Sequence, residues 1–331
     1  MKNFLESVGI DISKDTIDVA LHLGQQYRQF KNNPSGFRTM TSWVKSLRVH
    51  PSSTLFCFEH TGWYCLELCW FLEDQELPFH CAHALQLKRS LGLRRGKSDK
   101  TDAYDIARYA WVNREEIPLS HAPARRLVEL QRMLSLREQL VKQSTAMKNQ
   151  EHAMRLLVKG VTNDPSMAII RETIVFLKGQ LDAIEKQLEA LVEVTPEFAS
   201  NYALLKGIKG IGLVLALELV VHTHNFTRFA TWRQFSSYCG LAPFPYQSGT
   251  SIHRKPKTHP ICDKRMKSLL SMAAISTIRS DPEMKLYFKR RVDEGKNKMS
   301  VINIIRNKLV ARAFAVVKRQ TPFVELGKFA A

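Results

Sequence analysis

Asp11 stands inside an apolar strand pattern, Val8-Gly9-Ile10-Asp11-Ile12, where a carboxylate is costly unless it is paired or binds a cation. Glu59 closes the apolar run Leu55-Phe56-Cys57-Phe58 in the same way. Asp99, Asp102 and Asp105 recur at i, i+3 and i+6 and so share one helix face. Brought around one point, four or five such acids need divalent cations, and oxygen ligands suit Mg²⁺ or Mn²⁺. A carboxylate site of that kind activates a nucleophile and stabilises the leaving oxygen in phosphodiester displacement. Asp15 and Asp18 read instead as caps or acids on a solvated face.

A second constellation lies near the C-terminal end. Gly240-Leu241-Ala242-Pro243 and Ser248-Gly249 read as turns in a stretch that continues with Arg254, Lys255, Lys257, Lys264, Arg265 and Lys267. A serine is a weak nucleophile until a base or cation activates it, and chemistry alone does not separate Ser248 from Ser251 or Ser271. Upstream, Gly207, Gly210 and Gly212 separate two helical patterns, with Ile208 and Ile211 as apolar anchors. Glycines between helices resemble a helix-hairpin-helix, whose bare backbone N–H groups approach a phosphate.

Charge gives these motifs a partner. Of the net +18, residues 201–331 hold 23 basic against 7 acidic side chains, while residues 1–115 and 116–200 are nearly balanced. So basic a region folds compactly at a cost that a polyanion offsets, which points to nucleic acid and to salt-dependent binding. With 44% hydrophobic and 24% charged residues the composition is globular. It has no apolar run of membrane-spanning length, and Met1–Ser13 lacks a signal-peptide core, so a mature cytoplasmic chain is expected. The six cysteines form no C-x-x-C pair and sit in apolar surroundings, as buried free thiols do.

The elements that must position these residues divide the 331-residue chain into three parts. Residues 1–115 read as three early strands, then alternating helices and strands, an α/β layer fold entered by Asp11 and Glu59 on strands and by a 99–112 helix capped by Ser98. Residues 116–200 read as two long helices broken at Asn163-Asp164-Pro165. Ile170, Ile174, Leu177, Leu181, Ile184, Leu188 and Leu191 space a heptad seam that closes on itself or on another subunit. Residues 201–331 read as a basic, mainly helical domain.

GIDISKDTIDVAL, then FEHTG, then Lys97-Ser98-Asp99-Lys100-Thr101-Asp102-Ala103 resemble the RuvC-like domain of the DEDD-type insertion-sequence transposases, a family that includes the Piv-type recombinases. The resemblance implies an RNase H-like fold and a metal-binding catalytic tetrad of Asp11, Glu59, Asp99 and Asp102, with Asp105 outside the motif. G-L-x-P followed by S-G is the family's serine motif, which singles out Ser248 as the nucleophile; GIKGIG, the Phe226/Phe229/Phe235/Tyr238-Cys239-Gly240 run and SLLSMAA also fit. The basic loop after Ser248 departs from the family in having two prolines and no glycine, so Arg254, Lys255 and Lys257 stand only as candidate phosphate contacts. The resemblance further implies strand exchange of donor and target DNA through a phosphoserine, guidance by a structured bridge RNA, and a dimer or tetramer. In that assembly the RuvC-like domain of one protomer meets the serine domain of another.

Overall fold

The structure is a computed structural model that describes residues 4–90, 92, 98–157, 164–248 and 252–324. Two compact units divide the chain, residues 1–124 and 125–331.

Unit 1 is a mixed sheet with helices on both faces. Its elements are β1 (Glu6–Ile12), β2 (Thr16–Leu21), β3 (Tyr27–Lys31), α1 (Pro34–Ser46), β4 (Thr54–Glu59), α2 (Leu66–Asp74), β5 (Phe79–Ala82), α3 (Ala84–Ser90) and α4 (Asp99–Val112). The strand order is β3-β2-β1-β4-β5. The meander β1-β2-β3 is antiparallel, as short polar turns require, and β4 and β5 run parallel to β1 through helical crossovers. Alternation divides the central strands between two cores. Val8, Ile10, Phe56 and Phe58 pack with Phe37, Met40 and Leu68 of α1 and α2. Leu55 and Cys57 pack with Ile106, Tyr109 and Ala110 of α4 on the other face.

Backbone contact seats α4. A Cβ on Gly9 would lie 2.1 Å from the Ala103 carbonyl oxygen and 2.2 Å from Ala107 N. Two residues earlier, Ser7 Oγ donates to the Ala107 carbonyl at 2.8 Å. Near the strand start, Glu6 is a buried carboxylate that serves the fold. It accepts from the N–H groups of Ser7 (2.8 Å), Leu23 (2.9 Å) and Gly24 (2.9 Å) and so pins the β2–β3 turn.

Unit 2 is mostly helical: α5 (Arg125–Leu157), α6 (Pro165–Glu193), α7 (Pro196–Lys206), α8 (Leu213–His222), α9 (Trp232–Tyr238), β6 (Pro243–Ser248), β7 (Ile252–Thr258), α10 (Lys264–Ser280), α11 (Pro282–Asp293) and α12 (Lys298–Arg319). Asp164 caps α6 by accepting from Met167 N at 3.0 Å, with Pro165 in the first turn. The heptad seam faces α5: Ile170, Leu177, Ile184 and Leu188 are buried and Ile174 and Leu181 half-buried. Arg137–Glu185 (2.6 Å) and Arg171–Glu151 (3.2 Å) join the pair in antiparallel register. At its base, Leu127, Leu130, Leu134, Leu188 and Val192 enter the same core as α7, α8, α9, α10 and α12.

The β6–β7 hairpin is an element that the sequence reading of turns and helices did not contain. Pro243, Pro245 and Pro256 weaken a strand pattern because each lacks an N–H. A two-stranded ribbon tolerates them, since each strand has an unpaired edge, and the register shifts in a bulge between Phe244 and Tyr246.

Gly9→Ala is expected to lower the stability of unit 1 by about 2–3 kcal/mol, because the α4 backbone must retreat from the strand. A lowered thermal midpoint in circular dichroism would show it; an unchanged midpoint would mean that α4 is not held by this contact.

Candidate active site

Strand alternation puts Asp11 and Glu59 on one face of the sheet. Ser7 and Gly9 touch α4, so Asp11, two residues further on, projects to the same side. Leu55 and Cys57 pack beneath α4, so Glu59 projects there too, and the parallel register pairing Ile10 with Phe58 brings Glu59 level with Asp11. Because Ser7 meets Ala107 and Gly9 meets Ala103, α4 runs back along β1 with its first turn, Asp99 and Asp102, toward Asp11. Ser98 caps that turn by accepting from Thr101 N at 3.2 Å, and the helix dipole favours negative charge there. Lys97, the first residue of the motif, lies outside the described residues. Among the described residues, no three His, Cys, Asp or Glu side chains converge closely enough to hold a metal ion. The acids share a face and an edge, and their side chains are not gathered into a ligand set.

Asp18 is a correction. It is 2% exposed rather than on a solvated face, and it pairs directly with Asp11 across β1 and β2, so the two side chains share a side. Tyr27 Oη donates to Asp18, and Gln29 Nε2 lies 3.1 Å and 3.2 Å from its two carboxylate oxygens. Hydrogen bonding to Asp18, then burial, then the negative charges of Asp18 and Asp99 push Tyr27 up to about 12. The alternation of Thr16-Ile17-Asp18-Val19-Ala20-Leu21 carried a signal: an acid flanked on both sides by strand residues is seldom solvated at a central position. Asp105 is also buried, whereas Asp15 is exposed.

In unit 2, Ser248 is the last residue of β6 and pairs with Ile252 at the head of β7. Residues 249–251, including Ser251, lie outside the described residues. Ser271 sits within α10, where its Oγ donates to the Lys267 carbonyl at 2.6 Å. Arg254 and Lys255 lie on β7, and Lys257 is exposed near its end. The three glycines differ from one another. Gly210 has φ +91°, and a Cβ there would lie 1.9 Å from Thr277 Oγ1 of α10, so packing requires it. Gly207 ends α7, and Gly212 opens α8 with, among the described residues, no side-chain cap and nothing within 4 Å of a Cβ.

The root of the hairpin is held by a polar network that sequence reasoning missed. Asp263 caps α10 through Met266 N (2.8 Å) and accepts from Tyr238 Oη (3.1 Å), while its backbone N–H donates to the Tyr238 carbonyl (3.0 Å). His222 lies between Asp263 (3.3 Å) and the buried Glu218 (3.2 Å). Arg265 bridges Glu218 and Glu138, the latter at 2.7 Å. Burial, followed by the Asp263 charge, pushes Tyr238 up to about 12. The signal was Glu218 alone in the apolar run LVLALELVV.

Residues 8–158, covering the sheet, α4 and α5, match the DEDD transposase of the IS110 type, and residues 202–289 match the transposase IS116/IS110/IS902 family. The pilin gene-inverting protein of Moraxella bovis is 30% identical over 322 residues, covering 96% of this chain and 97% of that one. The chain belongs to the IS116/IS110/IS902 transposase family. The pilin gene-inverting protein of Moraxella lacunata matches this transposase equally, at 30% over 322 residues. An uncharacterized protein of insertion element IS110 from Streptomyces coelicolor is 28% identical over 142 residues, 43% of the transposase and 34% of that protein. The chain is accordingly a DNA transposase or recombinase. No helix among its described residues is long and apolar enough to cross a membrane.

Folded transposase keeps the Tyr27 proton between pH 10 and about 12, where an unfolded tyrosine has lost it. This contribution to stability is complete below pH 10 and is lost as the pH rises through about 12. Asp18→Asn is expected to move the Tyr27 ionisation back toward 10. Ultraviolet difference titration against Tyr27→Phe measures it, and an unmoved transition would separate Tyr27 from Asp18.

Proposed function

We propose that this transposase exchanges DNA strands through a covalent phosphoserine formed by Ser248, assisted by a divalent cation that Asp11, Glu59, Asp99 and Asp102 would hold. The observation that carries the reading is the convergence of placement in unit 1. Asp11 and Glu59 end adjacent parallel strands on the face crossed by α4, and the first turn of α4 supplies the other two acids. The donor chemistry fits a hard cation, being all carboxylate oxygen on rigid strand ends and a helix turn. Such a cation, Mg²⁺ or Mn²⁺, would neutralise charge at the scissile phosphate. The sheet order β3-β2-β1-β4-β5 with an antiparallel β1-β2-β3 meander supports an RNase H-like, RuvC-like catalytic domain over residues 1–115. A coiled-coil arm over 116–200 and a serine transposase domain over 201–331 complete the proposed division.

In the proposed step the Ser248 oxygen bonds to phosphorus, the deoxyribose oxygen leaves with a proton, and the phosphodiester energy is retained for rejoining to another DNA end. The surrounding cations would stabilise the serine alkoxide and draw the phosphate to it. Asp18, buried beside Asp11, serves as a positioning residue, with Tyr27 and Gln29 holding its carboxylate in one orientation. Phosphate contacts fall to the open N-terminus of α8 at Gly212, in a helix-hairpin-helix with Gly207 and Gly210, and to Arg254, Lys255 and Lys257. Donor and target DNA, a guide (bridge) RNA and a homo-oligomer, dimer or tetramer, are the partners that the family resemblance supports, in the cytoplasm beside the nucleoid.

A suicide DNA substrate incubated with protein, guide RNA and Mg²⁺ tests the reading by denaturing electrophoresis and peptide mapping. Wild type and Ser251→Ala are expected to give a protein–DNA adduct, and Ser248→Ala none. Asp11→Ala and Asp102→Ala are expected to lose at least about tenfold in recombination while staying folded. An adduct that persists in Ser248→Ala moves the nucleophile elsewhere. Cleavage without any adduct replaces this reading with a metal-dependent nuclease.

A further inference from the structure

Unit 2 contains an aromatic-walled cavity of about 580 Å³ between the loop that enters α9 and the C-terminal half of α12. Its walls are Phe226, Phe229, Trp232 and Phe314, all partly buried, and alanines at 230, 311 and 315 leave its interior open. The volume lies in the range that small-molecule sites occupy. Phe226 stands edge-on to Phe314 with ring centroids 4.9 Å apart. An unusual backbone holds it there, since His224, Asn225 and Phe226 have φ of 48°, 53° and 67° in succession. Asn225 anchors that turn: its Nδ2 donates to the Glu197 carbonyl (2.7 Å), and its Oδ1 accepts from Asn201 Nδ2 (2.8 Å). The Phe226 N–H donates to Thr223 Oγ1 at 2.9 Å.

The surroundings are cationic. Lys318 lines the cavity. The Arg233 guanidinium lies 4.7 Å from the centre of the Trp232 ring, and Arg228 lies 5.2 Å from that of Phe229. The sequence has no Asp or Glu between Glu218 and Asp263, nor between Glu294 and Glu325, so both lining segments are free of acids. Flat aromatic walls offer a stacking surface to any base, and a rim of Lys and Arg neutralises the adjoining phosphates. A base can enter only where it is unstacked and unpaired.

We propose that this cavity takes an unstacked nucleobase of the DNA substrate. The proposal needs only that the chain acts on DNA and is independent of Ser248 and of the carboxylates. Base capture here would hold a strand open during exchange, using Phe226 and Phe229, residues of the aromatic run that the strand-exchange chemistry leaves unassigned.

The test uses the full chain and short single-stranded DNA carrying 5-iododeoxyuridine. Photocross-links are expected at Phe226, Phe229, Trp232 or Phe314 by peptide mapping. Ala315→Leu, which fills the cavity, and Trp232→Ala, which removes a wall, are expected to weaken single-stranded DNA about tenfold. Duplex affinity at the same salt, carried by phosphate contacts, is expected to stay within about twofold. Cross-links confined to other residues overturn the proposal, as does an equal loss on duplex and single strand in both variants. Cross-linking at the cavity by RNA but not by DNA of the same sequence gives the site to RNA and overturns the DNA assignment.

Discussion

At Gly9 a helix backbone rests on a strand backbone with no room for a methyl group between them. That contact sets the height and rotation of α4 over the sheet, and the Ser7 hydroxyl bonded to Ala107 adds a second fixed point on the same strand. With two points held, the direction of the helix is determined, and its first turn can only lie toward the ends of β1 and β4. The placement of Asp99 and Asp102 relative to Asp11 and Glu59 is therefore a consequence of packing. A larger residue at position 9 would shift all the helix-borne acids together, because a helix moves as one body.

Burial of charge is managed differently at each acid. Glu6 is satisfied by three backbone N–H groups and serves a turn. Asp18 is satisfied by a phenol and an amide on the neighbouring strand and lies beside Asp11. Both carboxylates are almost fully buried, and the cost of desolvating them is offset by directed hydrogen bonds. Their partners distinguish a turn-pinning acid from one that borders the candidate active site.

Unit 2 depends on a comparable economy of space. Gly210 lets α10 approach the α7–α8 turn, and Glu218, His222, Asp263 and Arg265 tie α8, α10 and α5 together beneath the β6–β7 hairpin. The hairpin thus rises from a root held by this polar network, with Ser248 as the last residue of its first strand. α6 lies antiparallel beside α5, and the base of the pair is rooted in the same core.

Periodicity alone determined much of this protein. The three early strands, the α4 helix with its Ser98 cap, and the break at Asp164-Pro165 are local consequences of side-chain alternation and end-capping, and they stand where the sequence places them. The family was legible because its motifs are short, ordered and carried on those local elements. Tertiary structure decided the rest. Asp18 has the same local pattern whether it faces water or α4, and only strand pairing puts it beside Asp11. The hairpin was hidden because its prolines argue against strands locally, and only the pairing of β6 with β7 reveals it. The heptad seam has the same spacing for an internal or an external partner. Spacing is silent on the partner because burying apolar surface does not depend on which chain supplies the other side, whereas the tertiary structure lays α5 antiparallel beside the seam.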